Sequence, residues 1–302
     1  MEASLLATLA ITCVAFTGIW LINVLTRDAG VIDYNWGPGF SVIALVHIWF
    51  HGAASPLEWV LLGAVLLWSV RLASHLIRRH HGTHAEDGRY RAMREGGGPS
   101  WWWASLFKVF LLQAVLLWLI AAPLHVAFLP GGEPDPSLAL FGAGMALFAV
   151  GFAIEWIADV QLALGKRVSS SGGAETAMVT DGLWGMSRHP NYLGEIILWW
   201  GIGIAALAVS GSLLALAGPA LLTLVMRFVS LPLTEQHMMR TRPDYAGYAE
   251  RVPALIGLLQ APEELRPITA YFLSVFALTL PSYHLLIMTN AVFRAKKMVM
   301  YP

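Results

Sequence analysis

Glu155 and Asp159 stand four residues apart, and Asn191 and Glu195 repeat that interval, in two stretches that are otherwise almost wholly apolar. Residues four apart share one face of a helix, so each pair presents its polar groups side by side. Carboxylates placed in hydrocarbon are costly and by default mark a functional pathway. Pro190 suits the first position of a helix, where its missing N–H is no loss and its φ is already helical. The helix it opens has free N–H groups and a positive dipole end, and Arg188 and His189 add donors at the same place. A phosphate or carboxylate fits that helix start. Asn191 and Glu195, one turn deeper, can accept hydrogen bonds from an amide or a ribose hydroxyl. The purely structural alternative pairs these carboxylates with Lys166, Arg227 or one another.

The elements that must hold these residues are set by composition. Of 302 residues, 57% are hydrophobic and 13% charged, against roughly 25% charged in soluble domains. Apolar windows near the ~20 residues needed to cross a bilayer fall at 4–25, 38–50, 57–77, 101–129, 137–164, 192–209 and 212–233. The expected fold is therefore all-α, a seven-helix membrane bundle, with an eighth apolar stretch at 268–293 interrupted by Pro281. The start of the chain has no basic leader and no small-residue cleavage site, so residues 1–27 read as a retained first helix. Cys13, the one cysteine, excludes an internal disulfide framework.

Basic residues orient the bundle. With the N-terminus outside, the inner loops hold Arg27; Arg78, Arg79, Arg89, Arg91 and Arg94; Lys166, Arg167 and Arg188; and Arg240, Arg242, Arg251 and Arg266. The outer loops hold no Lys or Arg. The positive-inside rule then gives an N-out, C-in topology. An eighth crossing would put Arg294, Lys296 and Lys297 outside, so residues 260–302 are expected to form a re-entrant or interfacial extension kinked at Pro281. The remainder is one membrane domain, with a substrate-side half at 1–129 and a cofactor-side half at 137–259.

Several motifs are excluded or given plain readings. Gly201, Gly203 and Ala206 spell a dinucleotide turn but lack the strand, turn and helix start that the motif needs; inside a membrane helix, small residues serve close packing. His80, His81, His84 and Glu86 fit no closed ligand set, and no metal is expected. Trp101–Trp103 read as an interfacial anchor. HExxH, P-loop and GxSxG motifs are absent, and no nucleic-acid partner is expected.

A polar pocket ringed by basic residues suits a large anionic cofactor with hydroxyls and an amide, which describes NADPH. Its 2′-phosphate calls for the bidentate geometry of arginine, with Arg78, Arg79, Arg89, Arg91 and Arg94 as candidates. The run DGLWGMSRHPNYLGEIILWWG, followed by EQHMMRTRPDYAGYAERVPALI, resembles the C-terminal signature of the steroid 5α-reductase superfamily. VIDYNWGPGF and RLASHLIRRHHGTHAEDGRYRAMRE are similar to its bacterial members. The resemblance covers about residues 28–259. It implies a multi-pass enzyme of the bacterial inner membrane with its NADPH site facing the cytoplasm. It further implies that Asn191 and Glu195 contact the nicotinamide half of NADPH and that Asp159 contacts the cofactor, seven residues before Lys166. Glu155 stands where the animal enzymes have asparagine, and Arg78 is the basic residue ending the third helix. His237 is a cofactor-side histidine, and Tyr192 and Trp36 join the cofactor contacts.

The Gln-Glu pair that holds the enone oxygen in the animal enzymes is missing; Asp33, Tyr34, Asn35 and Trp36 stand there instead, and His75 is near the place of the substrate tyrosine. Reducing a conjugated C=C builds negative charge on the carbonyl oxygen, which donors must stabilise while the nicotinamide supplies hydride. Tyr34, Asn35 or a protonated Asp33, alone or with His75, would polarise that carbonyl. The expected substrate is a lipophilic enone entering from the bilayer. The rival reading is an S-adenosylmethionine-dependent membrane methyltransferase of the isoprenylcysteine or phospholipid type, which the RHPNYLG run and the closing RVP also resemble. That ligand has no phosphate to engage the arginines at 78–94, so the reductase is preferred. A lipid-binding or transport scaffold has no inverted repeat to support it.

Overall fold

The apolar segments do form helices, and the chain is an all-α, multi-pass membrane protein. A computed structural model describes residues 2–52, 55–83, 88–131, 135–171 and 178–255; the side chains at 80–83, 89 and 167–171 lie outside that description. The C-terminal extension at 260–302, with Pro281, lies outside it as well. In order, α1 is Glu2–Thr26, a 3-10 turn spans Ala29–Asn35, α2 is Trp36–His51 and α3 is Pro56–Thr83. Helix α4 is Gly88–Gly96, α5 is Trp101–Ser105, α6 is Leu112–Ile120 and α7 is Ala122–Ala127. Then come α8, Leu138–Ser171, α9, Pro190–Ser210, α10, Ala217–Val225, α11, Leu231–Thr241, and α12, Tyr245–Arg251. No strand occurs among the described residues.

Among the described residues, six stretches are long and apolar enough to cross a bilayer: Glu2–Thr26, Pro56–Arg79, Gly98–Ile120, Leu138–Lys166, Pro190–Ser210 and Leu213–Thr241. Helix α2 supplies the remaining expected segment with 16 residues, about 24 Å at 1.5 Å per residue. Two segments differ from the sequence expectation. The fourth does not run unbroken to residue 129: it turns at Ala121 (φ −69°, ψ 4°), because Pro123 in the first turn of α7 cannot donate to a continuing ladder. The seventh runs on to Thr241, past Pro232, and a π-helical turn at Met226–Ser230 absorbs the carbonyl that the proline ring would otherwise strike. A second π-turn, Leu106–Leu111, joins α5 to α6.

Helix α1 is amphipathic the wrong way round for a soluble protein. Ser4, Thr8, Thr12, Phe16 and Asn23 are buried, while Leu6, Val14, Leu21 and Leu25 are exposed. Lipid is as apolar as leucine, so helices associate through polar and small groups instead. His51 Nε2 meets Ser4 Oγ at 3.0 Å, and Trp118 Nε1 donates to Thr8 Oγ1 at 3.0 Å. Beside them His47 Nε2 lies 2.8 Å from His125 Nδ1, and His125 Nε2 lies 3.0 Å from the Trp118 carbonyl. A carbonyl only accepts, so His125 carries its proton on Nε2. With both rings neutral, His47 donates from Nε2 to His125 Nδ1.

Helices α8 and α9 meet along glycines. A Cβ on Gly151 would stand 2.6 Å from the Gly194 carbonyl, one on Gly194 2.7 Å from the Gly151 carbonyl, and one on Gly201 2.6 Å from the Gly144 carbonyl. Gly203 faces Pro219 and the Ala215 carbonyl in the same manner. The small residues at 201 and 203 thus serve close helix packing, as their membrane setting implied.

Candidate functional site

Helix α3 sends Trp68, Arg71 and His75 from one face, at intervals of three and four, toward the Glu155–Asp159 face of α8. Arg71 Nη1 donates to Glu155 Oε1 at 2.5 Å and Nη2 donates to Asp159 Oδ2. Trp68 Nε1 donates to Glu155 Oε2 at 3.1 Å, and His75 Nε2 is 3.6 Å from Asp159 Oδ2. Arg71, Glu155 and Asp159 expose 9%, 3% and 5% of their side chains, so one guanidinium bridges two carboxylates away from solvent. Asp159 Oδ1 is buried with no hydrogen-bond partner.

The glycine seam brings the third carboxylate to this cluster. Gly194 lies against the Glu155 backbone, and the neighbouring Glu195 feels the charges of Glu155, Arg71 and Asp159. Among the described residues no hydrogen bond reaches the Glu195 carboxylate or the Asn191 amide. Three acids therefore share one arginine, and several of their lone pairs are unused.

The 3-10 turn at Ala29–Asn35 forms a second polar group. Asp28 starts it by accepting from the Gly30 N–H at 2.8 Å. Tyr90 of α4 donates to Asp33 Oδ1 at 2.8 Å, Gln113 Nε2 lies 3.4 Å from the Tyr90 hydroxyl, and Trp36 Nε1 donates to Gln113 Oε1 at 2.9 Å. Burial, then the charges of Asp28 and Asp33, raise the Tyr34 phenol above its usual range. It stays protonated, a donor, across neutral pH. Asn35 stands at the N-cap of α2 without a capping side-chain bond. The two polar groups are joined by aromatic rings: Phe40 lies 5.8 Å from Trp68 and 4.4 Å from Trp199, and Trp68 lies 5.5 Å from Trp199. Trp36 packs against the same cluster with its ring tilted, 6.3 Å from Phe40.

Other residues picked from the sequence go elsewhere. Arg188 and His189 do not wait at the helix start for an anion. Arg188 Nε donates to Glu235 Oε1 at 2.8 Å and Nη1 to the Ala249 carbonyl at 2.9 Å, while His189 Nε2 lies 3.2 Å from the same Glu235 oxygen. Their backbone N–H groups donate to the Pro253 and Ala254 carbonyls at 2.8 and 3.1 Å. Tyr192 pairs with Thr234 at 3.2 Å. These three residues tie the start of α9 to α11 and to residues 252–255 after α12; within α12 the Tyr248 hydroxyl donates to the Trp184 carbonyl at 2.5 Å, and burial pushes that phenol up to about 12.

His237 of α11 sits against Gly88, at the start of α4. Lys166 lies within the electrostatic reach of Arg79, Arg242 and Asp159. Arg78 is exposed and donates to its own helix at Ser74, Arg91 is exposed and Arg94 half-buried. The Arg89 side chain lies outside the described residues, as do the side chains of His80, His81, His84 and Glu86. Among the described residues no group of three His, Cys, Asp or Glu side chains is placed to hold a metal ion.

Arg71, Trp68, Tyr90, Gln113 and Glu235 were missed by reading outward from the acids. Arg71 carried a usable signal, since an arginine inside an apolar segment falls under the same rule as a carboxylate.

Fold and site together define a polytopic α-helical membrane protein with a buried acid–arginine cluster. The chain belongs to the family described as a protein of unknown function, DUF1295, whose profile matches residues 19–252. It is also similar to an uncharacterized protein of Schizosaccharomyces pombe, 27% identical over 271 residues, covering 78% of this chain and 74% of the yeast protein. No solved structure matches the chain.

Proposed function

We propose that the protein is an NADPH-dependent membrane reductase, acting on the C=C bond of a lipophilic enone such as a 3-oxo-Δ4-steroid in the manner of steroid 5α-reductases. The observation that carries this reading is the excess of acceptors in the acid cluster: Asp159 Oδ1 and the Glu195 carboxylate have no hydrogen-bond donor from the described residues. A buried acceptor without a donor costs free energy, so the site fits a ligand rich in N–H and O–H groups, such as a carboxamide and ribose hydroxyls.

NADPH, when bound, supplies a hydride to the β carbon and leaves with a positively charged ring. Glu195, Glu155 and Asp159 would offer acceptor oxygens to the amide and hydroxyl groups of such a ligand, and acceptors already in place need no reorganisation as the ring becomes positive. Across the aromatic cluster, Tyr34 offers a neutral phenol to the enone oxygen, and Tyr90 orients Asp33 beside it. The α carbon then takes a proton, so that one C=C is reduced for each cofactor oxidised. Tyr34→Phe is expected to lower reduction of a 4-en-3-one steroid about 100-fold, on the scale of losing one such donor, while the thermal shift with NADPH persists. Unchanged turnover would remove Tyr34 from this role.

The same carboxylates also suit the sulfonium of S-adenosylmethionine, which keeps the methyltransferase as a second reading. Ligand linkage separates the two: NADPH is expected to raise the unfolding midpoint of the purified protein, and S-adenosylmethionine to leave it in place. The reverse result would favour the methyltransferase.

The distribution of basic residues supports an N-out, C-in orientation with the acid cluster toward the cytoplasm. A tag at residue 302 should then stay unlabelled by an impermeant reagent in intact cells; labelling it would overturn the C-in placement.

A further inference from the structure

Lys108 takes no part in the site. It lies in the π-turn Leu106–Leu111, within the membrane-spanning stretch Gly98–Ile120, and is half-buried. Its ammonium makes no ion pair or hydrogen bond with the described residues. A lysine at that depth is expensive unless it reaches a partner, and π-turns are rare distortions that concentrate at functional positions.

The partner can be placed from the geometry. Helical side chains lean toward the N-terminus of their helix, and Lys108 stands seven residues after Trp101, about 10 Å along the axis. Its stem therefore points back toward the level of Trp102 and Trp103, which expose 59% and 49% of their surface as an interfacial belt does. Helix α1 closes one side, with Trp20 Nε1 donating to the Trp102 carbonyl at 3.0 Å. Arg27 is exposed just beyond the same end of α1. Farther into the bilayer, Phe107, Val115 and Leu119 form an exposed apolar stripe.

We propose that the exposed face of the α5–α6 segment beside α1 is a binding site for one anionic phospholipid, its phosphate seated on the Lys108 ammonium and its chains lying along Phe107, Val115 and Leu119. A positive charge between membrane helices at headgroup level is the chemistry that selects anionic over zwitterionic lipid. The site is separate from the acid cluster and does not depend on the reaction assigned there.

The test is the unfolding midpoint of the purified protein in mixed micelles with phosphatidylglycerol, phosphatidylcholine or inorganic phosphate. Phosphatidylglycerol is expected to raise the midpoint by about 5 °C more than phosphatidylcholine, and phosphate to have no effect. Lys108→Met and Lys108→Gln should lose that excess while keeping the phosphatidylcholine value, and Lys108→Arg should retain it. An excess that survives in both neutral variants, an equal response to the two lipids, or a full response to phosphate alone would overturn the proposal.

Discussion

Replacing Glu195 by Gln is expected to reduce NADPH-dependent enone reduction by about 100-fold, the scale set by removing one preorganised electrostatic group from an active site. The substitution keeps size and shape and replaces one acceptor oxygen with an N–H2 donor. Glu195 is held beside Glu155 by the glycine seam and receives no hydrogen bond from the described residues, so little folded structure depends on it. The unfolding midpoint of the unliganded protein should accordingly stay near the wild-type value. The NADPH-induced rise should shrink, because the ligand loses an acceptor. Turnover is read by mass, as a gain of two hydrogens on a 4-en-3-one steroid. Full turnover in the Gln variant would refute the assignment of Glu195 to the cofactor.

The second large effect lies in the fold. Gly151→Ala is expected to destabilise the protein by about 3 kcal/mol, at the upper end for overpacking, and Gly151→Leu to yield no folded protein. The added carbon would meet the Gly194 carbonyl at 2.6 Å and the Leu198 α-carbon at 2.9 Å. Both are backbone atoms, which cannot swing aside as a side chain does. Gly142, about two and a half turns away on the same helix, has nothing within 4 Å of an added carbon and serves as the control: Gly142→Ala should be neutral or slightly stabilising, since alanine favours helix. Equal midpoints for the two alanine variants would show that α8 and α9 are not in backbone contact.

The membrane segments were legible because hydropathy is summed residue by residue and needs no knowledge of partners. Helix α4 was not, because nine residues that interleave Arg91 and Arg94 with the buried Tyr90 and Met93 read locally as a basic loop. The break at Ala121 and the π-turn before Pro232 depend on how a proline is accommodated, which its position alone leaves open. The polar inner face of α1 was hidden by the mean hydropathy of the segment. In the site, the four-residue spacing of Glu155 and Asp159 put both on the face that meets Arg71, since such an interval is a local property. The pairing of Arg188 with Glu235 was not readable. Those residues are far apart in the chain, and only the fold makes them neighbours. Anion capture at the start of α9 was expected from Pro190 with Arg188 and His189; the N–H groups of Arg188 and His189 donate instead to the Pro253 and Ala254 carbonyls, partners that no local pattern announces.

The glycine seam also decides where this protein is able to move. Two helices in backbone contact cannot slide or part by small steps, because every ångström of separation opens a void along the whole interface, so α8 and α9 behave as one beam that carries Glu155, Asp159, Asn191 and Glu195 at fixed spacing. A ligand as large as a dinucleotide must then gain entry by displacement of other parts. The candidates are α4, pinned to the 3-10 turn through the Tyr90–Asp33 bond, and residues 252–255 after α12, pinned by the Arg188 guanidinium on the Val252 carbonyl and by two backbone hydrogen bonds. The acid cluster thus rests on a rigid anvil whose hinges lie at the cytoplasm-facing rim of the proposed topology, and a ligand of the proposed kind would exchange only as often as those few polar latches open.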